Sequence, residues 1–173
     1  MMESIVFRKA KKEDASAIKG VTRKAFLGYA REIGRKDKVA ALHETCAHIL
    51  SDISKKHVYI CEVDGKTAGA VRFEVLEQKI AYLSRLAIHP DYQSLGVGGL
   101  LLEKVKRECD ALGVRAIALH TASRMRSAVA FYLKNGYYIH SVTRDKQYIR
   151  AFMVNELEKM DELFDYETIV GER

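Results

Sequence analysis

The sequence predicts a mixed α/β fold in a single domain. Apolar stretches of strand length alternate with amphipathic stretches of helix length along most of the chain. One predicted strand leads, through the only proline, into a glycine-rich turn and a long helix. The 173 residues suit one domain, and no repeat, low-complexity tract or linker divides residues 1–173. We expect a core over about 4–156 and a charged tail over Leu157–Arg173, in which a short helix with a frayed end is left open.

Two strands and two helices are predicted before the first tight turn. The apolar run in Ser4–Arg8 predicts a strand, and a helix follows from about Asp14 to Phe26, with Asp14 or Ser16 as its N-cap. We expect Gly28–Lys38 to be a loop or a broken helix, and Val39–Ile53 to be a second helix. The second strand is Val58–Val63.

A hairpin and an irregular central strand are predicted next. Asp64-Gly65 is a strong turn signal between Val58–Val63 and a strand over Thr67–Leu76. In the next strand, Lys79–Ile88, Leu83 lies three residues from Leu86, so the two should face opposite sides unless an extra residue bulges between them. A bulge and a sheet buried on both faces are both compatible with this spacing.

The second half of the chain repeats the alternation of helix and strand. After the glycine-rich turn, apolar residues recur at the spacing of a half-buried helix that Gly113 closes: Leu101, Val105, Cys109 and Leu112. A buried strand over Ala116–Thr121 precedes a helix over Ala128–Tyr137 that an Asn-Gly pair closes. Two strands, Tyr137–Thr143 and Tyr148–Val154, then pair across Arg144-Asp145-Lys146.

Composition excludes several classes of protein. The chain is 48% hydrophobic and 30% charged, which is typical of a globular rather than a disordered protein. No apolar run approaches the roughly 20 residues that cross a bilayer, and we expect a cytoplasmic protein. The three cysteines, Cys46, Cys61 and Cys109, fit reduced thiols better than a disulfide framework. The net charge of +6 is interleaved with acidic residues and lacks an aromatic stacking motif, so nucleic-acid binding is not favoured.

The turn at residues 93–99 predicts a site for a phosphorylated cofactor. Glycines at the start of a helix leave backbone N–H groups unobstructed, and the helix dipole favours an anion there. The dinucleotide pattern GxGxxG fails because its third glycine is Leu101, and no GxxxxGK[ST] string occurs. What stands here is Gln93-x-x-Gly96-x-Gly98, preceded by Ile88-x-Pro90.

A second motif lies downstream, with Ala128, Phe131, Tyr132, Gly136 and Tyr137 in the pattern A-x-x-[LF]-Y-x-x-x-G-[FY]. Together the two motifs resemble those of the GNAT N-acetyltransferase superfamily. The resemblance implies a mixed central sheet flanked by helices, with a splayed central strand that binds CoA. One position departs from the family pattern, because Met125 stands where many members carry an asparagine that contacts pantetheine.

The resemblance implies a set of residues that bind acetyl-CoA. The backbone of the central strand would orient the pantetheine and thioester, the turn would hold the pyrophosphate, and the later helix would complete the site. These residues are Leu86, Ala87, Ile88, Gln93, Ser94, Leu95, Gly96, Val97, Gly98, Gly99, Met125, Ala128, Phe131, Tyr132 and Lys134.

The resemblance also implies that Tyr132 protonates the departing CoA thiolate, whereas composition alone would favour a core aromatic. The glutamate that family members often use as the base is absent, because the candidate positions hold Ala81, Tyr82, Ser84 and Arg85. His120, Glu32, Glu74, Glu77 and a solvent path without a dedicated base stay open. Among these, histidine has the most suitable unperturbed pKa, about 6.5.

Metal binding has little support in the sequence. His43 and His48 lie five residues apart, which on a helix separates them by about 140°, so they cannot share one ion as an i, i+4 pair does. We therefore expect no metal site.

The predicted function is acetyl transfer from acetyl-CoA to a primary amine of a small molecule or peptide, directly in a ternary complex. Another acyl donor, such as succinyl-CoA or propionyl-CoA, and a catalytically silent acyl-CoA sensor are the alternatives. A homodimer is also left open. We expect Gly28–Lys56 and the last strands to set acceptor specificity, with Gly28–Lys38 as a mobile lip over the acceptor cleft.

Overall fold

The computed structural model describes residues 4–144 and 148–173. Its strands are β1 Ile5–Lys9, β2 His57–Val63, β3 Lys66–Val75, β4 Ile80–Ile88, β5 Ala116–Ala122, β6 Tyr138–Thr143 and β7 Arg150–Glu156. Its helices are α1 Ala15–Ile33, α2 Cys46–Lys55, α3 Val97–Ala111, α4 Arg126–Lys134 and α5 Tyr166–Val170. Across these residues the strands form one seven-stranded sheet in the order β1-β2-β3-β4-β5-β7-β6. The predicted mixed α/β class is confirmed.

The described chain divides into two compact units, and β3, β4 and α3 contribute to both. The first unit comprises the described residues through Phe73 together with Arg85–Lys104. Here β1 and β2 pair antiparallel, as do β2 and β3. Its apolar core packs α1 and α2 against the sheet through Ile18, Ile49, Val58, Ile60 and Ala70.

The second unit comprises Glu74–Ser84 and the described residues from Val105 to Arg173. In it β4 pairs parallel with β5 from Ile80 to Tyr82, and β7 pairs antiparallel with both β5 and β6. The segment after β7 is packed, because Met160, Tyr166 and Val170 join the buried cluster around Phe152. The short helix expected in this segment is α5.

The prediction that an irregular segment begins at Gly28 is wrong for residues 28–33. There α1 continues to Ile33 and ends at Gly34, whose φ of +69° lets its N–H bond the carbonyls of Ala30 and Arg31. Ala30 is fully buried and clusters with Val39 and Ala41. This packing outweighs the roughly 1 kcal/mol that a glycine costs inside a helix.

The second predicted helix also has different bounds. A 3₁₀ turn covers Ala40–His43, and α2 begins at Cys46 rather than at Val39. Thr45 starts α2 as its N-cap, because its hydroxyl oxygen accepts a hydrogen bond from the His48 N–H at 3.3 Å. Glu44 therefore lies in an extended link before α2 instead of on a helix surface.

Several smaller predictions have outcomes in the structure. Leu101, Val105 and Cys109 are fully buried on α3, but Leu112 lies beyond the end of that helix and is exposed. All three cysteines are free. The turn predicted between β6 and β7 includes residues 145 and 146, which lie outside the described residues. Among the helices that are described, none has the length and apolar character needed to span a membrane.

Candidate cofactor and catalytic site

The glycine-rich turn presents backbone donors at the start of α3. Pro90–Leu95 forms a 3₁₀ turn, and Gly96 follows with φ +72°, in the left-handed region that favours glycine. The first helical hydrogen bond runs from the Leu100 N–H to the Gly96 carbonyl at 3.2 Å. The N–H groups of Val97, Gly98 and Gly99 therefore precede the helical ladder, at the positive end of the helix dipole.

The turn is exposed on one side and anchored on the other. Gln93, Ser94 and Gly96 are exposed and Leu95 is half-buried, whereas the Val97 side chain is fully buried. A buried anchor at the first residue of the helix fixes the backbone whose N–H groups face outward. The arrangement suits an anion such as a pyrophosphate.

The carboxyl half of β4 lies close to β3. Ala87 is fully buried, and Leu86 and Ile88 are half-buried. A Cβ atom added to Gly69 of β3 would lie 2.9 Å from Ile88 Cδ1 and 3.2 Å from the Ala87 carbonyl oxygen. A side chain at position 69 would therefore require Ile88 and the Ala87 carbonyl to shift, so this close approach of β3 to the backbone predicted to bind pantetheine favours glycine.

β4 is irregular between Leu83 and Leu86, where the sequence leaves a bulge open. Arg85 has φ +53°, in the left-handed region that non-glycine residues rarely adopt. The pairing of β4 with β5 ends at Tyr82, three residues earlier. This irregular backbone lies between Leu83 and Leu86, where their spacing breaks the alternation of the strand.

The residues of the second motif lie on α4 and just after it, in the second unit. Met125 is the residue before the helix and is half-buried, as are Ala128 and Phe131, whereas Lys134 is exposed. The helix ends at Lys134 because the Asn135 side chain donates to the Phe131 carbonyl at 2.8 Å and Gly136 turns away with φ +90°.

Tyr132 is buried, with 9% of its surface exposed. Its ring packs edge-on against Phe131 and Tyr137, at centroid distances of 5.3 and 5.6 Å. Burial, with a smaller contribution from the Tyr82 phenol, raises the pKa of Tyr132 above its ordinary value of 10. Tyr132 is therefore a protonated phenol throughout the neutral range.

His120 lies on β5 and is hydrogen-bonded to a second tyrosine. Its Nδ1 atom is 2.9 Å from the Tyr82 hydroxyl oxygen, and its ring packs against Phe152 at a centroid distance of 4.9 Å. The same Tyr82 phenol contributes to the raised pKa of Tyr132. The second unit thus joins His120 to Tyr82, a residue that neither sequence motif contains.

The other candidate bases are less suitable. Glu74 accepts a hydrogen bond from Arg173 at 3.0 Å, Glu77 is exposed in a turn, and Glu32 is exposed near the end of α1. None of the three is buried.

A buried ion-pair network in the first unit also escaped the sequence analysis. Arg72 of β3 is 1% exposed, donates to both carboxylate oxygens of Glu44 at 2.7 and 2.8 Å, and reaches Asp52 of α2 at 2.8 Å. Glu44 accepts a further hydrogen bond from Arg85 Nε at 3.2 Å. In the sequence, this network is indicated only by Arg72, an arginine inside the otherwise apolar run of residues 68–73.

The charges of this network determine the protonation of Glu44. Burial opposes ionisation of its carboxyl group, but the hydrogen bonds and charges of Arg72 and Arg85 outweigh burial and hold its pKa below 4.5. Asp52 also pairs with Lys56 at 3.3 Å. Glu44 is therefore ionised at neutral pH, with each of its oxygens engaged.

The described residues hold no cluster of three or more His, Cys, Asp or Glu side chains that could bind a metal ion. His43 lies in the 3₁₀ turn before α2, and His48 lies in the first turn of α2. The two imidazoles are therefore on different elements.

Comparisons with known proteins agree with these features. A family model described as acetyltransferase (GNAT) family matches residues 27–137. An uncharacterized N-acetyltransferase of Methanocaldococcus jannaschii is 22% identical over 79% of this chain, and the matched region spans 62% of that protein.

Solved structures show the same fold. The PaiA N-acetyltransferase of Thermoplasma acidophilum, in complex with coenzyme A, superposes with a TM-score of 0.79 at 20% identity, over 88% of this chain and 99% of that one. The protein yncA of Salmonella typhimurium, solved with its cofactor acetyl-CoA, gives 0.73 at 17% identity, over 94% and 99%. The ribosomal-protein-S18-alanine N-acetyltransferase of Escherichia coli gives 0.68 at 20% identity, over 94% and 100%.

Proposed function

Because this chain belongs to the acetyltransferase (GNAT) family, we propose that it transfers an acetyl group from acetyl-CoA to a primary amine of a small molecule or peptide, directly in a ternary complex. The observation that carries the proposal is the start of α3, where three successive backbone N–H groups precede the first helical hydrogen bond. Acetyl-CoA, when bound, supplies the acetyl group as a thioester.

The residues of the first unit would hold the cofactor. The N–H groups of Val97, Gly98 and Gly99 would bind the pyrophosphate, with Gln93–Leu95 beside them. Since β4 leads directly into this turn, pantetheine would run back from it along Leu86–Ile88. Met125, Ala128, Phe131 and Lys134 of the second unit are proposed as further cofactor contacts by resemblance to the family. Methionine replaces the usual asparagine, so an apolar contact would replace a hydrogen bond at position 125.

Tyr132 is proposed as the general acid. In the reaction a C–N bond forms, the C–S bond breaks, and the departing sulfur needs a proton. Burial keeps the Tyr132 phenol protonated before the reaction. The proposed step moves this proton to the departing sulfur atom.

His120 is proposed as the base, acting through Tyr82. With Nε2 protonated, Nδ1 can accept the Tyr82 proton across the 2.9 Å contact while Tyr82 Oη takes a proton from the amine. The amine proton thus ends on Tyr82, the former Tyr82 proton ends on His120, and the Tyr132 proton ends on the CoA sulfur. A histidine that reaches the substrate through a tyrosine supplies the base that the carboxylate-free β4 lacks.

The test of the proposed function is a panel of amines incubated with acetyl-CoA, with detection of the released thiol and of the acetylated amine by mass spectrometry. Tyr132→Phe should lower kcat by about 10²-fold without changing CoA affinity. Tyr137→Phe is the matched control, because Tyr137 is equally buried and the family motif accepts phenylalanine there. Full activity of Tyr132→Phe would exclude it as the acid.

Tyr82→Phe tests the relay, since it removes the hydroxyl between the substrate and His120 while keeping the ring. We expect kcat to fall and CoA binding to remain. A wild-type protein that binds acetyl-CoA but acetylates no amine would instead support the acyl-CoA sensor.

A further inference from the structure

Arg85 has an unusual backbone conformation, and only one of its side-chain nitrogens donates a hydrogen bond to a described residue. Its φ of +53° is in the left-handed region that residues other than glycine rarely adopt, and such residues cluster at functional sites. The side chain is 29% exposed, and only its Nε donates, to Glu44. No described residue accepts from its Nη groups. A planar fork of donors therefore remains available.

The charges around Arg85 leave a positive surplus. Within the network, Arg72, Arg85 and Lys56 are cationic, whereas Glu44 and Asp52 are anionic. Three positive and two negative charges leave a balance of +1. Arg72 is fully buried, so the surplus is accessible at Arg85 and at Lys56, which is 27% exposed and paired with Asp52.

Arg85 lies on the part of β4 toward which the thioester of bound acetyl-CoA would point. If the pyrophosphate lies at residues 96–99 and pantetheine runs back along Leu86–Ile88, the thioester end lies toward Arg85, roughly 10 Å from Ile88 along the strand. Through Glu44, Arg85 also contacts the segment expected to set acceptor specificity. Arg85 is thus placed where an acceptor amine would approach.

We propose that Arg85 binds a carboxylate of the acceptor, so that the substrates are amines that carry a carboxylate close to the amino group, as amino acids do. This proposal rests on the proposed function. A guanidinium fork matches the two oxygens of a carboxylate. A polycationic acceptor is disfavoured, because Glu44 is 8% exposed and both of its oxygens already accept from arginine.

The test compares amino acids with their amides and with the corresponding decarboxylated amines. The kcat/KM values are measured for wild type, Arg85→Asn, Arg85→Lys and Arg8→Asn. Asparagine tolerates the left-handed backbone, so Arg85→Asn removes the guanidinium with little added strain. Arg8 is the matched control, because it is 31% exposed and also pairs with two carboxylates, Asp14 and Glu62.

Wild type and Arg8→Asn should prefer the amino acid over its amide by at least tenfold. Arg85→Asn should lose that preference while its CoA affinity, measured by calorimetry, stays unchanged. Arg85→Lys should retain part of the preference, because the charge stays and the fork is lost. If Arg85→Asn fails to fold, Arg85→Lys still tests whether Arg85 determines the preference for amino acids.

An equal rate with amides, or an unchanged preference in Arg85→Asn, would overturn the proposal, as would a preference for sulfonate- or phosphonate-bearing amines. Calorimetry of wild type with amino acids in the presence of CoA separates this proposal from the proposed function. If CoA binds and no amino acid does, the carboxylate assignment fails and the cofactor assignment stands. If CoA itself does not bind, the proposed function fails.

Discussion

Replacing Glu44 by glutamine should destabilise the protein strongly. Glu44 accepts three hydrogen bonds from two guanidinium groups, at 2.7, 2.8 and 3.2 Å, and is 8% exposed. Its removal leaves the fully buried Arg72 with Asp52 as its remaining carboxylate partner, at 2.8 Å. Removing one partner of a buried ion pair costs about 3–5 kcal/mol. Because Asp52 remains, we expect the lower end, about 3 kcal/mol.

The matched control is Glu62→Gln. Glu62 also pairs with an arginine that keeps a second carboxylate, since Arg8 retains Asp14 at 2.8 Å. The difference is burial, because Arg8 and Glu62 are 31% and 22% exposed. Exposed pairs contribute about 0–1 kcal/mol, so this variant should lose at most about 1 kcal/mol.

Urea unfolding followed by circular dichroism gives both free energies, and dichroism suits a chain that lacks tryptophan. For a chain of this size, 3 kcal/mol corresponds to a fall in Tm of about 6–12 °C. Equal losses in Glu44→Gln and Glu62→Gln, both below about 1 kcal/mol, would refute the argument that burial of Arg72 makes its pairing with Glu44 essential.

Three further outcomes are expected. Gly98→Glu should lower CoA affinity by at least tenfold in calorimetry while the protein stays folded, because it places a carboxylate among the N–H donors. Unchanged affinity would show that the pyrophosphate does not bind at this turn. Gly20→Glu, at an exposed helix position, controls for the added charge. Gly69→Ala should lower the free energy of unfolding in urea by about 1–3 kcal/mol, since its methyl group contacts Ile88 and the Ala87 carbonyl. As a control, Gly20→Ala should stabilise the protein, because nothing lies within 4 Å of the added methyl group. The pKa of Glu44 is lower in the folded protein than in the unfolded chain, so its contribution is present above the unfolded pKa and is lost as pH falls through the folded pKa. The difference in unfolding free energy between wild type and Glu44→Gln should therefore shrink in acid, and a constant difference would contradict this assignment.

Local patterns in the sequence predicted most of the fold. The strand, proline, glycine-rich turn and helix over residues 83–102 depend on neighbours along the chain, and they are found at β4, the 3₁₀ turn and α3. The odd spacing of Leu83 and Leu86 likewise indicated the irregularity that the structure has at Arg85. Backbone preference and periodicity act over a few residues, so a single sequence reveals them.

The limits of α1 depended on tertiary packing. Gly28 and the charged residues after it favour a loop by local preference, yet α1 continues to Ile33 because Ala30 packs against Val39 and Ala41. Local propensity is worth about 1 kcal/mol at one residue, and burial of an apolar cluster outweighs it.

The sequence by itself determined the strand and helix order, the glycine turn and the position of Tyr132 in its motif. Only the tertiary structure decided which polar groups meet: Tyr82 bonds His120 from 38 residues away, and Arg85 and Arg72 reach Glu44 across 41 and 28 residues. No periodicity encodes those contacts, because they arise when strands and helices distant in sequence pack together. Their strength comes from burial, which removes the water that would otherwise compete for each charge and each hydrogen bond.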